Sequence, residues 1–176
     1  MTGNDMEVNL NIQGLDAVIN TLKQLPPEVV SKRGGVVKQA VAAGARVIRN
    51  EARKNLVKVT STAGKTGVSY GSGLTAKNVI TKRKNLKNGE NGEKYIVSVA
   101  YKVYPIGKSL YKKRPIKFND IAFMLEYGTS KQAAEPWLRP AFDVKKQEAM
   151  DKMQSELIKK VDKISSDLLK KTQNAT

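Results

Sequence analysis

The side chains that most enzymes use for acid–base or nucleophilic chemistry are scarce in this sequence. Its 176 residues include no cysteine and no histidine, which removes thiolate nucleophiles, disulfides, imidazole bases and the commonest metal ligands. No two acidic residues have a spacing that indicates general acid–base catalysis. Glu90 and Glu93 flank a predicted turn, and most later acids alternate with lysines along a predicted helix. We therefore expect a protein that is not an enzyme and that uses neither a metal nor another cofactor.

One tripeptide, Gly64-Lys65-Thr66, is similar to the end of the phosphate-binding loop of nucleotide-binding proteins. That loop also needs a glycine five residues before its second glycine, where this chain has Val59, and it lies between a buried strand and a helix. Here the tripeptide lies in a polar stretch that follows a predicted helix. We therefore expect no nucleotide and no other small-molecule substrate.

Positive charge is the strongest signal in the composition. The formal net charge is +16, and residues 56–119, with 14 basic and 2 acidic side chains, contribute +12 of it. Such a surface suits either the phosphates of DNA or the acidic surface of a protein, and the sequence leaves both open. The densest basic clusters are Lys82, Arg83, Lys84 and Lys87, and Lys112, Lys113, Arg114 and Lys117.

A further group of residues has the composition of an interface rather than of an active site. Between Phe123 and Phe142, a Glu-Tyr-Gly-Thr turn precedes Pro-Trp-Leu-Arg-Pro-Ala, and Trp, Tyr and Arg are the usual anchors of protein interfaces. The alternative is that Trp137 and Leu138 only anchor the last helix in the core, and both roles are compatible. We predict a subunit or partner interface formed by Glu126, Tyr127, Thr129, Lys131, Trp137 and Arg139.

The elements that position these residues follow from the spacing of apolar side chains. Alternation over residues 8–12 predicts a strand, and helical spacing predicts a helix over residues 15–25, followed by a longer helix from Glu28 to about Leu56. Residues 58–76 are rich in Gly, Ser and Thr, which is typical of an extended loop. No segment has the length and apolarity of a membrane span or a signal peptide.

The second half of the chain combines a hairpin with helices. Strands are predicted over residues 78–86 and 94–104, joined by two Asn-Gly steps, and a second basic loop covers residues 105–117. Asn119 or Asp120 is expected to cap a short helix, and a last helix is expected to run from near Pro136 beyond Leu169.

These elements predict an α+β fold, in which a small antiparallel sheet with a β-hairpin is packed by a long helix from the N-terminal half. A long C-terminal helix completes it. We place one α+β domain, with its two basic loops, in residues 1–144 and a C-terminal helical extension in residues 145–176.

The terminal pattern resembles a family of tailed-bacteriophage neck and tail-completion proteins, the lambdoid gene-product-ten-like minor tail proteins. The similarity runs in order from Asn11 to Val144. Upstream, Gly14-Leu15-Asp16 is similar to the start of the family's first helix, and Gly73-Leu74 before Asn78-Val79 is similar to its step into the hairpin. Trp137 stands where the family more often has phenylalanine. The residues that match the terminal pattern are Glu126, Tyr127, Gly128, Thr129, Pro136, Trp137, Leu138, Arg139, Pro140 and Ala141.

The resemblance implies a structural virion protein that forms a ring at the head–tail junction. Such a ring connects the portal, adaptor and stopper stack to the tail and surrounds the channel through which viral DNA passes. Its partners are further copies of itself and the neighbouring neck and tail proteins. Six copies are expected, because the tails of such phages are usually sixfold, and twelve is the alternative. The protein is expected in the host cytoplasm during assembly and then in the virion.

The size of the charge bears on what the basic clusters contact. Six to ten phosphate contacts change DNA affinity by about 10³ to 10⁵ between about 50 and 200 mM salt, and a ring multiplies the contacts of each subunit. A channel lined by all of this charge would oppose DNA ejection, so we expect most of it to meet acidic neighbouring proteins. The alternative function is a free-standing basic protein that binds DNA without sequence preference, which accounts for the charge but not for the terminal pattern.

Overall fold

The computed structural model of this chain describes residues 35–63, 73–85, 93–102 and 117–173. Within these residues, helices accompany one two-stranded antiparallel sheet, so the predicted α+β fold is confirmed. Both long helices and the hairpin were expected from the sequence. In chain order the elements are α1 (Val36–Ala63), α2 (Leu74–Lys77), β1 (Val79–Lys84), β2 (Lys94–Val99), α3 (Phe118–Tyr127) and α4 (Leu138–Gln173).

Contacts along the chain divide the described residues into two compact units. The first unit contains Ile48–Lys82 and Ile96–Lys146, and the second contains the residues up to Val47, Arg83–Tyr95 and the residues from Gln147. Each unit has its own buried apolar side chains.

The core of the first unit lies around Trp137, which is fully buried. Two polar side chains of α1 connect this core to other elements. Arg53 donates to the backbone oxygen of Val79 from Nε and Nη2, at 3.1 and 2.7 Å, and Asn55 Nδ2 donates to the backbone oxygen of Trp137 at 3.2 Å. These bonds satisfy carbonyls at the start of β1 and just before α4. The other large apolar side chains that are fully buried here are Leu56, Val79, Ile96, Ile121, Leu125 and Leu138.

The second unit packs the first half of α1 closely against α4. Gly44 makes this possible, because a Cβ at residue 44 would lie 2.2 Å from Met153 Cε and 2.8 Å from the backbone oxygen of Ala149. At the start of α1 and further along α4, a small buried cluster of Val36, Ala40 and Leu157 is flanked by the partly buried Val37, Val161 and Ile164.

Several predicted boundaries differ from those of the structure. The predicted loop at residues 58–76 is too long at both ends: α1 continues to Ala63, and α2 occupies Leu74–Lys77. No proline or glycine interrupts residues 58–63, and Ser and Thr disfavour a helix by only a few tenths of a kcal/mol each. The strands are shorter than predicted, at six residues each.

The start of α3 also differs from the prediction. The helix begins at Phe118, so neither Asn119 nor Asp120 is its N-cap. Instead, Asp120 lies in the first turn and its Oδ2 accepts the backbone N–H of Lys117 at 3.3 Å, which places a carboxylate beside the positive end of the helix dipole.

Other predicted features lie outside the described residues. These are the strand at 8–12, the helix at 15–25, the start of the longer helix, the turn at 88–92 and nearly all of the basic loop at 105–117. Of the helices that the structure does describe, none has both the length and the hydropathy to cross a membrane.

Candidate subunit interface

The carboxylate of Glu126, near the end of α3, holds the start of α4. One of its oxygens, Oε2, accepts the backbone N–H groups of Trp137 and Leu138 at 2.7 and 2.8 Å, and Oε1 accepts that of Arg139 at 3.2 Å. The first N–H groups of a helix have no partner within it, and the helix dipole there favours a negative charge. Glu126 is 0% exposed, so these hydrogen bonds replace the water that its carboxylate lost on burial.

Arg139 completes this arrangement from the solvent side. Its Nε donates to Glu126 Oε1 at 2.9 Å and its Nη2 donates to the backbone oxygen of Glu126 at 3.0 Å. The Arg139 side chain remains 58% exposed while the Glu126 side chain is 1% exposed. The ion pair therefore joins a buried group to a surface group and fixes the orientation of the guanidinium.

The turn after α3 depends on Gly128. Its backbone has φ 75° and ψ −176°, a region that is essentially confined to glycine. A Cβ there would also lie 2.8 Å from the backbone nitrogen of Ala134 and 2.9 Å from the backbone oxygen of Gln132. Thr129 and Gln132 then form a tight bridge, in which the N–H of Thr129 donates to the Gln132 oxygen at 2.8 Å. Gly128 thereby directs the chain back towards α3.

Trp137 ties the returning chain to α3. Its indole Nε1 donates to the backbone oxygen of Ala122 at 3.0 Å. Two residues before Trp137, the backbone N–H of Glu135 also donates to α3, to the oxygen of Leu125 at 2.8 Å. The tryptophan therefore combines a large buried apolar area with a satisfied polar group, as buried indoles usually do.

An exposed aromatic surface lies on the outside of this buried arrangement. Phe123 and Tyr127, one helical turn apart on α3, have ring centroids 4.6 Å apart, and the guanidinium carbon of Arg139 lies 5.2 Å from the Tyr127 centroid. Phe123 is 38% exposed and Tyr127 is 50% exposed. We call Phe123, Tyr127 and Arg139 the aromatic patch.

The six residues predicted as an interface thus divide into two groups. Glu126 and Trp137 are fully buried and support the surface without forming it. The other four, Tyr127, Thr129, Lys131 and Arg139, are exposed. Phe123 was missing from the prediction, although its spacing of four residues from Tyr127 was a usable signal, because residues so spaced lie on one helix face.

The basic residues predicted to meet DNA or an acidic partner are only partly described. Lys82 and Arg83 are exposed and Lys84 is half-buried, whereas Lys87, Lys112, Lys113 and Arg114 lie outside the described residues. Arg83 is paired with Glu93 through Nε–Oε2 and Nη2–Oε1 contacts of 2.6 and 2.7 Å. The hydrogen bond and the charge of Glu93 raise the pKa of Arg83 above its ordinary value. Part of the positive charge of the hairpin is therefore neutralised within the chain.

Lys117 contacts an aromatic ring. Its Nζ donates to the hydroxyl of Tyr101 and lies 3.8 Å from the ring centroid. Tyr101 is exposed, so this pair lies at the surface of the first unit. A cation over a tyrosine face is stabilised by the ring quadrupole, and Lys117 is thereby held in one orientation.

Comparison of the chain with models of protein families, with curated proteins and with solved structures gives no match in any of the three. Within the described ranges, no group of acidic residues is arranged to hold a metal ion.

Proposed function

We propose that this chain is a structural virion protein that forms a ring at the head–tail junction of a tailed phage. The ring connects the portal, adaptor and stopper stack to the tail and surrounds the DNA channel, with six copies preferred and twelve as the alternative. The observation that carries this proposal is the internal consistency of the terminal pattern, in which Glu126, Gly128, Trp137 and Arg139 form one compact arrangement.

The roles of four residues support the resemblance in detail. Glu126 accepts hydrogen bonds from the first N–H groups of α4, and Gly128 provides the positive φ of the turn. Trp137 donates a hydrogen bond to α3, and Arg139 pairs with the Glu126 carboxylate from the solvent side. These contacts join α3, the turn after it and the start of α4, so the four residues act in one structural unit. An assembly subunit needs such a rigid support beneath its contact surface.

The exposed part of the same arrangement supports a role in binding protein. Tyrosine and arginine are enriched at the energetic centres of interfaces, and here the exposed Phe123 and Arg139 each contact the ring of Tyr127. The Glu126 contacts fix the guanidinium before any partner binds, which reduces the conformational entropy that binding would otherwise cost.

Mass and DNA affinity together test this function. The full chain is measured by native mass spectrometry across a range of protein concentrations, and its binding to duplex DNA is titrated as a function of salt. A closed ring of six or twelve copies with weak, salt-sensitive DNA binding is the expected result.

The free-standing DNA-binding function is the second candidate, favoured by the charge of residues 56–119. It predicts a monomer or dimer that binds DNA tightly, with a salt slope of about −0.9 for each phosphate contacted. That outcome would replace the proposal.

The partner of the basic loops is tested separately. Reversing Lys112, Lys113 and Arg114 to glutamate is expected to block joining of the ring to its neck or tail neighbours while the subunit still folds, because acidic partners would be repelled. Normal joining by this variant would rule out acidic neighbours as the main partner of that loop.

A further inference from the structure

A second exposed surface lies on α4, on the side opposite its packed face. Ala149, Met153 and Leu157 are buried on one side of the helix. At 100° per residue, a stripe about 80° wide on the other side contains, between residues 148 and 162, three carboxylates and one large apolar side chain beside Ser155. These residues are Glu148, Asp151, Ile158 and Asp162, all of which are exposed, Ile158 by 45%. We call them the acidic stripe.

The stripe is unusual in a chain of net charge +16. Nine of the 16 acidic residues lie in residues 120–176, and the stripe gathers three of them around an exposed isoleucine with no lysine inside it. Lys152 and Lys159 lie at its border, and Lys152 is paired with Glu156 at 3.0 Å. The stripe itself is therefore apolar at one point and carries three acidic side chains beside it.

The aromatic patch has the complementary properties. It presents two rings in tilted contact to solvent beside a guanidinium. The contacts of Arg139 use Nε and Nη2, and Nη1 has no hydrogen-bond partner among the residues that the structure describes. An apolar side chain flanked by carboxylates fits this surface, because the rings provide apolar area and the remaining guanidinium N–H groups can donate to a carboxylate.

We propose that the aromatic patch of one copy binds the acidic stripe of the next copy in the ring. This inference rests on the proposed function and names one of its subunit contacts. A closed ring is built from heterologous contacts, so each subunit must carry two different surfaces that complement each other. The patch and the stripe meet that requirement by charge and by apolarity, and they share no residue.

Two variants that each remove one surface test the contact. The patch variant is Phe123→Ser/Tyr127→Ser, which removes the rings. The stripe variant is Asp151→Lys/Asp162→Lys, which opposes Arg139 with like charge. Each is expected to weaken association between copies by about 30-fold or more, so that each stays monomeric at concentrations at which the unaltered chain forms rings.

Mixing the two variants gives the decisive result. The patch variant retains an intact stripe and the stripe variant retains an intact patch, so one contact remains possible between them. An equimolar mixture is expected to give a 1:1 heterodimer by native mass spectrometry and nothing larger. A mixture that contains only monomers overturns the inference.

Matched controls carry the same chemical changes elsewhere. Val57→Ser removes an exposed apolar side chain of the first unit outside the patch. Asp143→Lys/Asp167→Lys makes the same charge change at exposed positions of α4 away from the stripe. Both controls are expected to form rings, and thermal unfolding confirms that every variant is folded.

The outcomes separate this inference from the proposed function. If the unaltered chain forms rings and either variant still does so, the contact lies elsewhere and only the inference fails. The inference alone also fails if the variants form rings but no longer join other neck proteins, because the patch and the stripe would then bind those proteins and not another copy of this chain. If the unaltered chain stays monomeric and binds DNA tightly, the proposed function fails together with the inference.

Discussion

Glu126 Oε2 accepts the backbone N–H of Trp137 at 2.7 Å, across eleven residues of sequence and from a different helix. An N-cap side chain usually accepts the first backbone N–H groups of its own helix. For α4, the carboxylate of Glu126 accepts them from a different helix. It also accepts hydrogen bonds from the next two backbone N–H groups and pairs with Arg139. The beginning of α4 is thus determined by α3.

We expect Glu126→Ala to destabilise the fold by about 3 kcal/mol or more, because several buried donors lose their acceptor and each unsatisfied donor costs about 1–3 kcal/mol. Glu126→Gln is expected to lose less stability than Glu126→Ala, because the amide keeps one oxygen that can accept hydrogen bonds. It should still lose some, since the amide NH₂ is a donor that faces other donors. Chemical denaturation measures both. Asp143→Ala, at an exposed position of α4, is the control and is expected to change stability by less than about 0.5 kcal/mol. Equal effects of Glu126→Ala and the control would contradict this role.

Among the residues that the structure describes, two glycines have a positive φ, and they give a matched pair. Gly73 has φ 69° and ψ 7°, and a Cβ there meets only Val57 Cγ2 at 3.9 Å, an ordinary contact. Gly73→Ala is therefore expected to cost only the left-handed backbone penalty of about 1–2 kcal/mol. Gly128→Ala adds contacts of 2.8 and 2.9 Å with backbone atoms in a backbone region that is more restrictive. We expect Gly128→Ala to lower the free energy of unfolding by about 3 kcal/mol or more, as measured by thermal unfolding. A smaller loss of stability than for Gly73→Ala would contradict the role of Gly128 in the turn.

Much of the fold can be predicted from the sequence because its elements are locally encoded. Val36, Ala40, Ile48, Ala52 and Leu56 recur at multiples of four residues, and all five are buried. Because a step of four residues turns a helix by only about 40°, these residues form a continuous apolar stripe that winds around α1, which is a recognisable helical pattern. The strands flank two Asn-Gly steps, and their existence followed from that turn chemistry. The ends of the elements were less accurate, because helix and strand termini depend on non-local hydrogen bonds.

The role of Glu126 is the part of the candidate site that the sequence does not reveal. A glutamate beside Leu125 at a helix end is ordinarily solvated, and its burial here depends on α4 starting within hydrogen-bond reach after an eleven-residue return. The same holds for Arg139, whose orientation comes from a partner on another helix. The sequence identified these residues through their pattern, whereas the division between supporting and exposed side chains required the structure.

Gly44 sets the distance between α1 and α4 in the second unit. Alanine favours a helix by about 1 kcal/mol over glycine, yet we expect Gly44→Ala to destabilise by about 1–3 kcal/mol, the usual cost of overpacking. The added Cβ would meet Met153 Cε at 2.2 Å, Met153 Cγ at 2.5 Å and the Ala149 oxygen at 2.8 Å. Denaturant unfolding in the Met153→Ala background serves as the control. There the cost should fall without vanishing, since the backbone oxygen remains, and a stabilising Gly44→Ala would contradict the close packing.

One ion pair of α4 makes a contribution to stability that depends on pH. Lys152 Nζ hydrogen-bonds Glu156 Oε1 at 3.0 Å, and this bond, together with the lysine's charge, lowers the pKa of Glu156 below its ordinary value. A carboxyl whose pKa is lowered in the folded state stabilises the fold above its unfolded pKa, and that contribution disappears as the pH falls through the lowered value. We therefore expect the melting temperature of Glu156→Gln to lie slightly below that of the unaltered chain at neutral pH. The two should converge in acid, below the folded-state pKa, since both side chains are then uncharged. The Glu156 side chain is 27% exposed and that of Lys152 is 46% exposed, so high salt should also reduce the difference at neutral pH. A difference that persists unchanged in acid would assign the effect to packing of the side chain instead of to its charge.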